Sequence, residues 1–193
     1  MSITIRRSYT SDSESDFEFL WATFSSCIEW LVSKGHEAQW GAEPWGADVK
    51  ERVRNKIPLE DAKGARRWIA EVDGESAGYL DITPFRSDYL PVAAEDKAGK
   101  EMFLKTLVVH RKFVGRGVGE FLLQFVKKLA VEEKADWLRL DCWRGPPGKD
   151  GLVKYYLRNG FSRAREFVVP PGTQNNAKEW PGQLLEIKVS DLQ

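Results

Sequence analysis

The spacing of apolar and polar residues divides the chain into short strands and amphipathic helices. Residues 3–7 alternate with a period of two, which predicts a half-buried strand. Apolar side chains at intervals of three and four follow over residues 17–31 and predict a helix that ends at Gly35. Residues 47–57 predict a shorter, charged helix that is ended by Pro58.

The central part of the chain predicts a hairpin followed by a loop. Residues 64–72 and 76–83 contain apolar runs and predict two strands. Asp73 and Gly74 between them are a strong signal for a tight β-turn. Residues 85–100 are polar and predict the loop.

The second half of the chain alternates strands with helices. The predicted strands span residues 104–109, 137–143, 161–169 and 184–189. One predicted helix is opened by residues 115–119 and ended by residues 134–136, and another spans residues 150–159. Antiparallel pairs early in the chain and interleaved helices later predict a mixed α/β fold. Because no internal repeat or low-complexity linker occurs, residues 1–193 are expected to form one domain.

Composition narrows the classes of protein that fit. The 29 basic and 29 acidic side chains cancel, which argues against a nucleic-acid binder. No run of about 18 apolar residues predicts a membrane-spanning helix, and residues 2–9 lack the apolar core of a signal peptide. Cys27 and Cys142 are too few for a disulfide framework, so a cytoplasmic protein is expected. With His36 and His110 they form no recognised ligand spacing, and no metal site is predicted.

Three alternating glycines after a predicted strand mark the most distinctive stretch. Gly115, Gly117 and Gly119 open the helix that follows residues 104–109, and Arg116 adds a positive charge. A helix start leaves backbone N–H groups unpaired, and glycines let an anion approach them. The pattern predicts anion binding, with a tight turn in a packing role as the alternative. The spacing departs from the dinucleotide fingerprint by one residue, and the Lys-Ser or Lys-Thr of a P-loop is absent.

Two blocks in this half of the chain resemble one known family. Residues 107–111 and 114–119 look like the acetyl-CoA motif of the GNAT superfamily of N-acetyltransferases, with Val114 where that motif has Gln or Arg. Residues 137–161 look like the family's next strand and helix, which end in Tyr-x-x-x-Gly-Phe, here beginning at Tyr156. Two blocks in the right order are more specific than either alone.

The resemblance implies a fold and a reaction. The fold would be a single GNAT domain, with a central, mostly antiparallel sheet, a splayed parallel pair and about four helices. Residues 29–41 also resemble the amino-terminal part of some microbial members. The reaction would transfer an acetyl group from acetyl-CoA to a primary amine of a small molecule or peptide. Dimers are frequent in the family, so a homodimer is an expectation by analogy.

The same resemblance assigns residues to acetyl-CoA. The pyrophosphate would bind the backbone of Val114, Gly115, Arg116, Gly117, Val118 and Gly119. The amides of the pantetheine arm would pair with the strand edge at Leu107, Val108 and Val109, as an added strand does. Asp150 lies near the position of an Asn that the family often uses.

Tyr156 occupies the family position of the residue that gives a proton to the leaving thiolate. A phenol and a thiol have similar pKa values, so such a transfer is chemically reasonable. Tyr155 and Tyr156 would also both suit packing on an amphipathic helix, and Tyr155 is expected to pack.

The residues that would handle the amine are less defined. Many relatives carry an acid on the strand before the glycine turn, where this chain has Lys105 and Thr106. The general base is left open among four acids, each of which would also suit a structural or solvated position: Asp81, Asp141, Glu43 and Glu71. Trp40 and Glu43 lie in a loop that could line the acceptor pocket or cover the core. Lys105 could favour an acidic acceptor or be solvated.

Two other functions stay open. One is a non-catalytic CoA-binding or sensing module of the same fold that has lost its base. The other is a nucleotide-binding α/β domain, which the glycine spacing disfavours.

Overall fold

In the residues that a computed structural model describes, 1–8, 13–146, 148–172 and 178–192, seven strands form one mixed sheet. The strands are β1 (Ile3–Ser8), β2 (Arg66–Val72), β3 (Glu75–Thr83), β4 (Glu101–Val109), β5 (Trp137–Trp143), β6 (Ser162–Val169) and β7 (Trp180–Lys188). The α-helices are α1 (Glu14–Ser33), α2 (Ala47–Asp61), α3 (Val118–Glu132) and α4 (Gly151–Arg158). In the strand order β1-β2-β3-β4-β5-β7-β6, β4 and β5 are parallel and the other neighbours are antiparallel.

This architecture confirms the predicted fold class. The sheet is mostly antiparallel with one parallel pair, and four α-helices accompany it. The hairpin between β2 and β3 turns at Asp73 and Gly74, whose φ angles are 50° and 85°. Both residues lie in the left-handed region that tight hairpin turns require. No helix of the described residues is long and apolar enough to cross a membrane.

Three predicted boundaries are wrong. α2 continues beyond Pro58 to Asp61, because the proline carbonyl still accepts a hydrogen bond from the N–H of Ala62 and only the proline donor is lost. β4 begins at Glu101, since its first residues pair with β5. β7 begins at Trp180, because it is held by strands on both edges.

The two faces of the sheet carry different helices. α3 and α4 cover one face, where Leu122 and Val153 pack with Leu138 in the largest apolar core. α1 and α2 cover the other face, where Phe17 packs with Tyr79 in a smaller core. We call these the α3 face and the α1 face. Side chains alternate between them along each strand, so the sequence position of a residue fixes the face that it reaches.

The predicted loop between β3 and β4 is fixed to the α1 face by buried ion pairs. Arg86 donates to the two oxygens of Glu101 at 2.8 and 2.7 Å and also pairs with Asp96. Arg139 of β5 pairs with the same Glu101 and with Glu186 of β7. Because each buried charge meets an opposite one, the network can lie under the loop without a charge left uncompensated.

Candidate active site

The parallel strands β4 and β5 separate halfway along their length. They pair from Glu101 opposite Trp137 to Leu104 opposite Leu140, whereas β4 continues to Val109. The separation begins at a β-bulge, where Lys105 has no partner across β3. Beyond the bulge, one edge of β4 faces a gap instead of a strand among the described residues.

The predicted pantetheine residues line this gap. Leu107 and Val109 are half-buried and pack toward the core of the α3 face. Val108 is buried and packs in the core of the α1 face. β3 therefore holds this stretch in extended geometry on one edge, and among the described residues no strand pairs with the other edge, as strand addition requires. The Cys27 thiol donates to the Val109 carbonyl at 3.5 Å.

The turn after β4 presents uncapped backbone donors. Gly115 and Gly117 have φ angles of 81° and 76°, and a Cβ added to either would meet nothing within 4 Å. Gly117 is the N-cap of α3, and no side chain caps this helix end. Val114 and Arg116 are exposed beside it. The turn therefore fits an anionic group, because donors, open space and a positive charge coincide there.

Gly119 has a different reason to be glycine. A Cβ at this position would lie 2.8 Å from the hydroxyl oxygen of Tyr155, too close for any real contact. Tyr155 is half-buried and packs against the core, in line with its expected role, while its hydroxyl reaches the first turn of α3. The third glycine thus makes room for a side chain of α4 and not for an anion alone.

Tyr156 is buried on the α3 face where α4 packs against β5. Its ring makes edge contacts with Tyr155 and Phe161 at centroid distances of 5.3 and 5.7 Å. Burial raises the pKa of Tyr156 above its ordinary value, and neighbouring Cys142 adds to the effect. The phenol is therefore fully protonated at neutral pH and available only as a donor.

Asp141 is the first residue of β5 beyond the paired stretch. It lies on the α1 face, since its neighbours Leu140 and Cys142 belong to the core of the opposite face. Burial raises the pKa of Asp141 to about 6, against the opposing effect of Tyr89, whose hydroxyl lies 3.2 and 3.1 Å from the two carboxylate oxygens. A carboxylate beside the gap thus titrates near neutral pH.

Asp81 lies across β4 from Asp141, on β3, and is enclosed more completely. It is 5% exposed, and its Oδ1 has no hydrogen-bond partner among the described residues. Burial raises the pKa of Asp81 to about 6, although Arg67 at 3.6 Å lowers it. An acceptor could not touch this carboxylate without displacing protein, so Asp81 has a structural position.

Lys105, predicted to be near the acceptor, forms an ion pair with Glu60 of α2. Burial would raise the pKa of Glu60, but Lys105, Lys56 and Arg67 together outweigh burial and lower it. Arg67 pairs with the same Glu60 at 3.2 Å. The ammonium of Lys105 is thus engaged inside the protein.

Three other predicted residues, Trp40, Glu43 and Glu71, make no hydrogen bond to Asp141 among the described residues. Trp40 is half-buried, with its ring 5.4 Å from that of Phe24, and Glu43 is exposed. Glu71 accepts a hydrogen bond from Arg6 at 2.7 Å beside the edge strand β1. Of the four candidate bases, Asp81 is therefore enclosed, Glu71 is paired with Arg6 and Glu43 lies on the surface.

Asp150, predicted to contact the cofactor, is the N-cap of α4. Its carboxylate pairs with Lys154 at 2.8 Å, and the hydrogen bond from that lysine lowers the pKa of Asp150. Asp150 makes no capping bond to its own helix.

Sequence reasoning missed three aromatic residues beside Asp141. Tyr89 comes from the loop before β4, Phe167 from β6 and Trp180 from β7. They lie far apart in the sequence, and nothing in the sequence except their aromatic character linked them to one another. Among the described residues, no group of three or more His, Cys, Asp and Glu could hold a metal ion.

A solvent-open concavity of about 460 Å³ lies at the opposite end of the parallel pair. Gly99, Trp137 and Lys188 are among the residues that line it, at the end of the sheet where β4 and β5 begin and β7 ends. Because the glycine turn and Asp141 lie at the other ends of these strands, this concavity is separate from the gap.

Comparison with known proteins identifies the family. The family model described as the Acetyltransferase (GNAT) family matches residues 24–161, more than half of the 193-residue chain. The chain therefore belongs to the GNAT acetyltransferase family, as the two sequence blocks predicted.

Individual relatives agree with this assignment. A curated protein of Bacillus subtilis (strain 168), described as the uncharacterized N-acetyltransferase YesJ, is 26% identical over 147 residues, 76% of each chain. An N-acetyltransferase of Staphylococcus aureus Mu50 has a TM-score of 0.64 at 14% identity, covering 98% of this chain and 99% of its own. The paia N-acetyltransferase of Thermoplasma acidophilum, solved in complex with coenzyme A, has a TM-score of 0.58 at 16% identity, covering 97% and 99%. These structures share the fold.

Proposed function

We propose that this protein transfers an acetyl group from acetyl-CoA to the primary amine of a small acceptor. One observation carries the proposal: a strand gap that joins an uncapped glycine turn to the carboxylate of Asp141. The turn opens α3, which covers one face of the sheet, and the carboxylate lies on the other face. A donor and an acceptor could thus meet from opposite faces.

The donor side uses mainly backbone. The N–H groups of Val114 and Arg116 already donate within the turn, so those of Gly115, Gly117, Val118 and Gly119 would hold the pyrophosphate. The edge from Leu107 to Val109 would hold the pantetheine amides. Bound acetyl-CoA supplies an activated thioester. Val114 provides no polar side chain, and Arg116 is the charged neighbour that would assist the backbone.

The acceptor side uses Asp141 as the general base. An amine must lose a proton to become a nucleophile, and a base with a pKa near the working pH removes it best. Asp141 suits this role because its pKa is raised to about 6 and because no cation pairs with it among the described residues. Tyr156 would donate its proton to the departing sulfur. Among the described residues, its hydroxyl makes no hydrogen bond that would compete with this transfer.

Binding and turnover test the proposal separately. Thermal unfolding with acetyl-CoA, NAD and ATP should show stabilisation by acetyl-CoA alone, by about 2.7 kcal/mol at a ligand concentration 100 times Kd. Release of free CoA thiol should then depend on an added amine. A protein that binds acetyl-CoA and acetylates no amine would instead be a CoA-binding module.

Asp141→Asn should lower kcat/KM by about 10²- to 10⁴-fold. In the wild type kcat/KM should rise as the pH rises through about 6, because the carboxylate must be unprotonated, and this step should vanish in the variant. Asp88→Asn, at an exposed position in the same loop as Tyr89, is the matched control. An unchanged pH profile in Asp141→Asn would remove Asp141 from the mechanism.

A further inference from the structure

The aromatic rings beside Asp141 form a continuous wall on the α1 face. The ring of Tyr89 lies 6.4 Å from that of Phe167 and 6.4 Å from that of Trp180, and the last two are 6.1 Å apart. All three side chains are half-buried, so each ring packs on the protein and also faces solvent. We call these three residues the aromatic wall.

The wall is built into the sheet by a glycine. Gly182 of β7 pairs with Phe167 on one side and with Trp143 on the other. A Cβ at Gly182 would lie 2.2 Å from the ring of Phe167, so this ring lies directly over the glycine. The missing side chain therefore provides the space in which Phe167 turns toward Tyr89.

Trp180 is also held in place. Its indole N–H donates to the backbone carbonyl of Gln39 at 3.0 Å, in the segment between α1 and α2. This bond fixes one ring of the wall and ties the segment to β7. A fixed ring loses little freedom when a ligand packs on it, which favours binding.

The wall meets one carboxylate that is available to a cation. The hydroxyl of Tyr89 bonds to Asp141, so the wall begins at that side chain. The other acids of this region, Asp96, Glu101 and Glu186, are each paired with arginine. Among the described residues, Asp141 has no such pair, and Leu184 lies across from it on β7.

We infer that the acceptor is a small monoamine with a flat aromatic body, an arylalkylamine. Its ammonium would lie at Asp141 and its ring would pack on the aromatic wall. A polyamine would need a second free carboxylate, and an amino acid would bring its own carboxylate against Asp141. This inference deepens the proposed function and rests on it.

A panel of four amines tests this inference. The probes are 2-phenylethylamine, hexylamine, spermidine and phenylalanine, each compared by kcat/KM with acetyl-CoA as donor. Ring packing predicts about a 3- to 10-fold preference for 2-phenylethylamine over hexylamine. Spermidine and phenylalanine should be poorer by about 100-fold or more, because their additional charges are unpaired or repelled in the site. Equal or better use of either would overturn the inference.

Two variants test whether the aromatic wall causes the preference for 2-phenylethylamine over hexylamine. Phe167→Leu keeps an apolar side chain over Gly182 and removes the ring, and it should abolish the preference for 2-phenylethylamine over hexylamine. Val168→Ala, at the exposed neighbouring position, should retain it. If Phe167→Leu fails to fold, Trp180→Leu tests the same wall. A preference that survives in the folded wall variant would overturn the inference.

Calorimetric titration of 2-phenylethylamine into the protein saturated with CoA separates this inference from the proposed function. Binding that Phe167→Leu weakens, without acetylation of any amine, would support the wall and contradict the transferase proposal. Acetylation of spermidine in preference to 2-phenylethylamine would support the transferase and contradict the wall. Absence of binding and of turnover would contradict both.

Discussion

The two faces of the sheet provide polar chemistry in different ways. At the start of α3, the donors are backbone groups from a single short stretch, Val114 to Gly119, and no side chain caps them. On the α1 face, the polar groups are side chains from distant positions, such as Tyr89 and Asp141. A backbone site tolerates changes of side chain, whereas a side-chain site depends on every partner. The first arrangement suits a ligand with a fixed anionic group, and the second suits selection among acceptors.

The largest expected effect comes from placing a charge on the glycine turn. Gly117→Glu should weaken CoA binding by at least about 100-fold, because two unit charges 4 Å apart repel by about 4 kcal/mol at an effective dielectric constant of 20. Calorimetric titration with CoA measures the affinity.

Gly74→Glu is the matched control for this variant. Gly74 and Gly117 have φ angles of 85° and 76°, and both have open space around a Cβ. Each variant should therefore lose a similar 1–2 kcal/mol of stability, about the cost of a left-handed side chain. Unchanged CoA affinity in Gly117→Glu would place the anion elsewhere.

A smaller effect is expected on the α1 face, from the enclosed acid on β3. Burial raises the pKa of Asp81 from its ordinary 3.8 to about 6. Since the folded state then binds the proton more tightly than the unfolded state, the contribution of Asp81 to stability falls as the pH rises from about 4 to about 6. Asp81→Asn should therefore gain up to about 3 kcal/mol relative to the wild type between pH 4 and pH 7.

Urea unfolding at the two pH values measures this difference. Taking the difference between variant and wild type cancels the contribution of acids whose pKa values are lowered away from Asp81, such as Glu101. The exposed Asp88→Asn is the matched control. A constant difference across the range would mean that Asp81 is not protonated preferentially in the folded protein.

The smallest expected effect tests whether position 119 must be glycine because a side chain there would collide with Tyr155. Gly119→Ala should cost about 1–2 kcal/mol of stability, because its methyl group would meet the hydroxyl of Tyr155. In a Tyr155→Phe background the same substitution should cost much less, since the next nearest ring atom is 3.8 Å away. Urea unfolding of the wild type, the two single variants and the double variant gives the coupling free energy between Gly119 and Tyr155. An equal cost in both backgrounds would mean that Tyr155 is not the obstacle.

The proposed donor half of the site could be read from the sequence because that half is local. The strand, the glycines and the start of α3 are contiguous, and the spacing of residues 115–119 carries their geometry in the chain itself. Even there, the reason for Gly119 was hidden, since the Tyr155 hydroxyl approaches it from α4.

The acceptor half could not be predicted because it depends on contacts between distant segments. Tyr89 and Asp141 are 52 residues apart, and no periodicity joins them. Gly182 lay outside the predicted strand of residues 184–189, whereas the structure places it buried inside β7 beneath Phe167. The polar loop of residues 85–100 was predicted as a loop, but its charges serve an ion-pair network with β4, β5 and β7.

The β-bulge at Lys105 also changes which residues of β4 face α3. Before it, Met102 and Leu104 face α3, and after it Leu107 and Val109 do so. Even-numbered residues therefore face α3 before the bulge, and odd-numbered residues do so after it, where β5 separates from β4. Removing Lys105 would let Thr106 follow Leu104 directly, which would restore a regular alternation and leave every later side chain on its present face, because the β3 partners stay the same. The bulge is therefore a point at which β4 can lose one residue without exchanging its two faces.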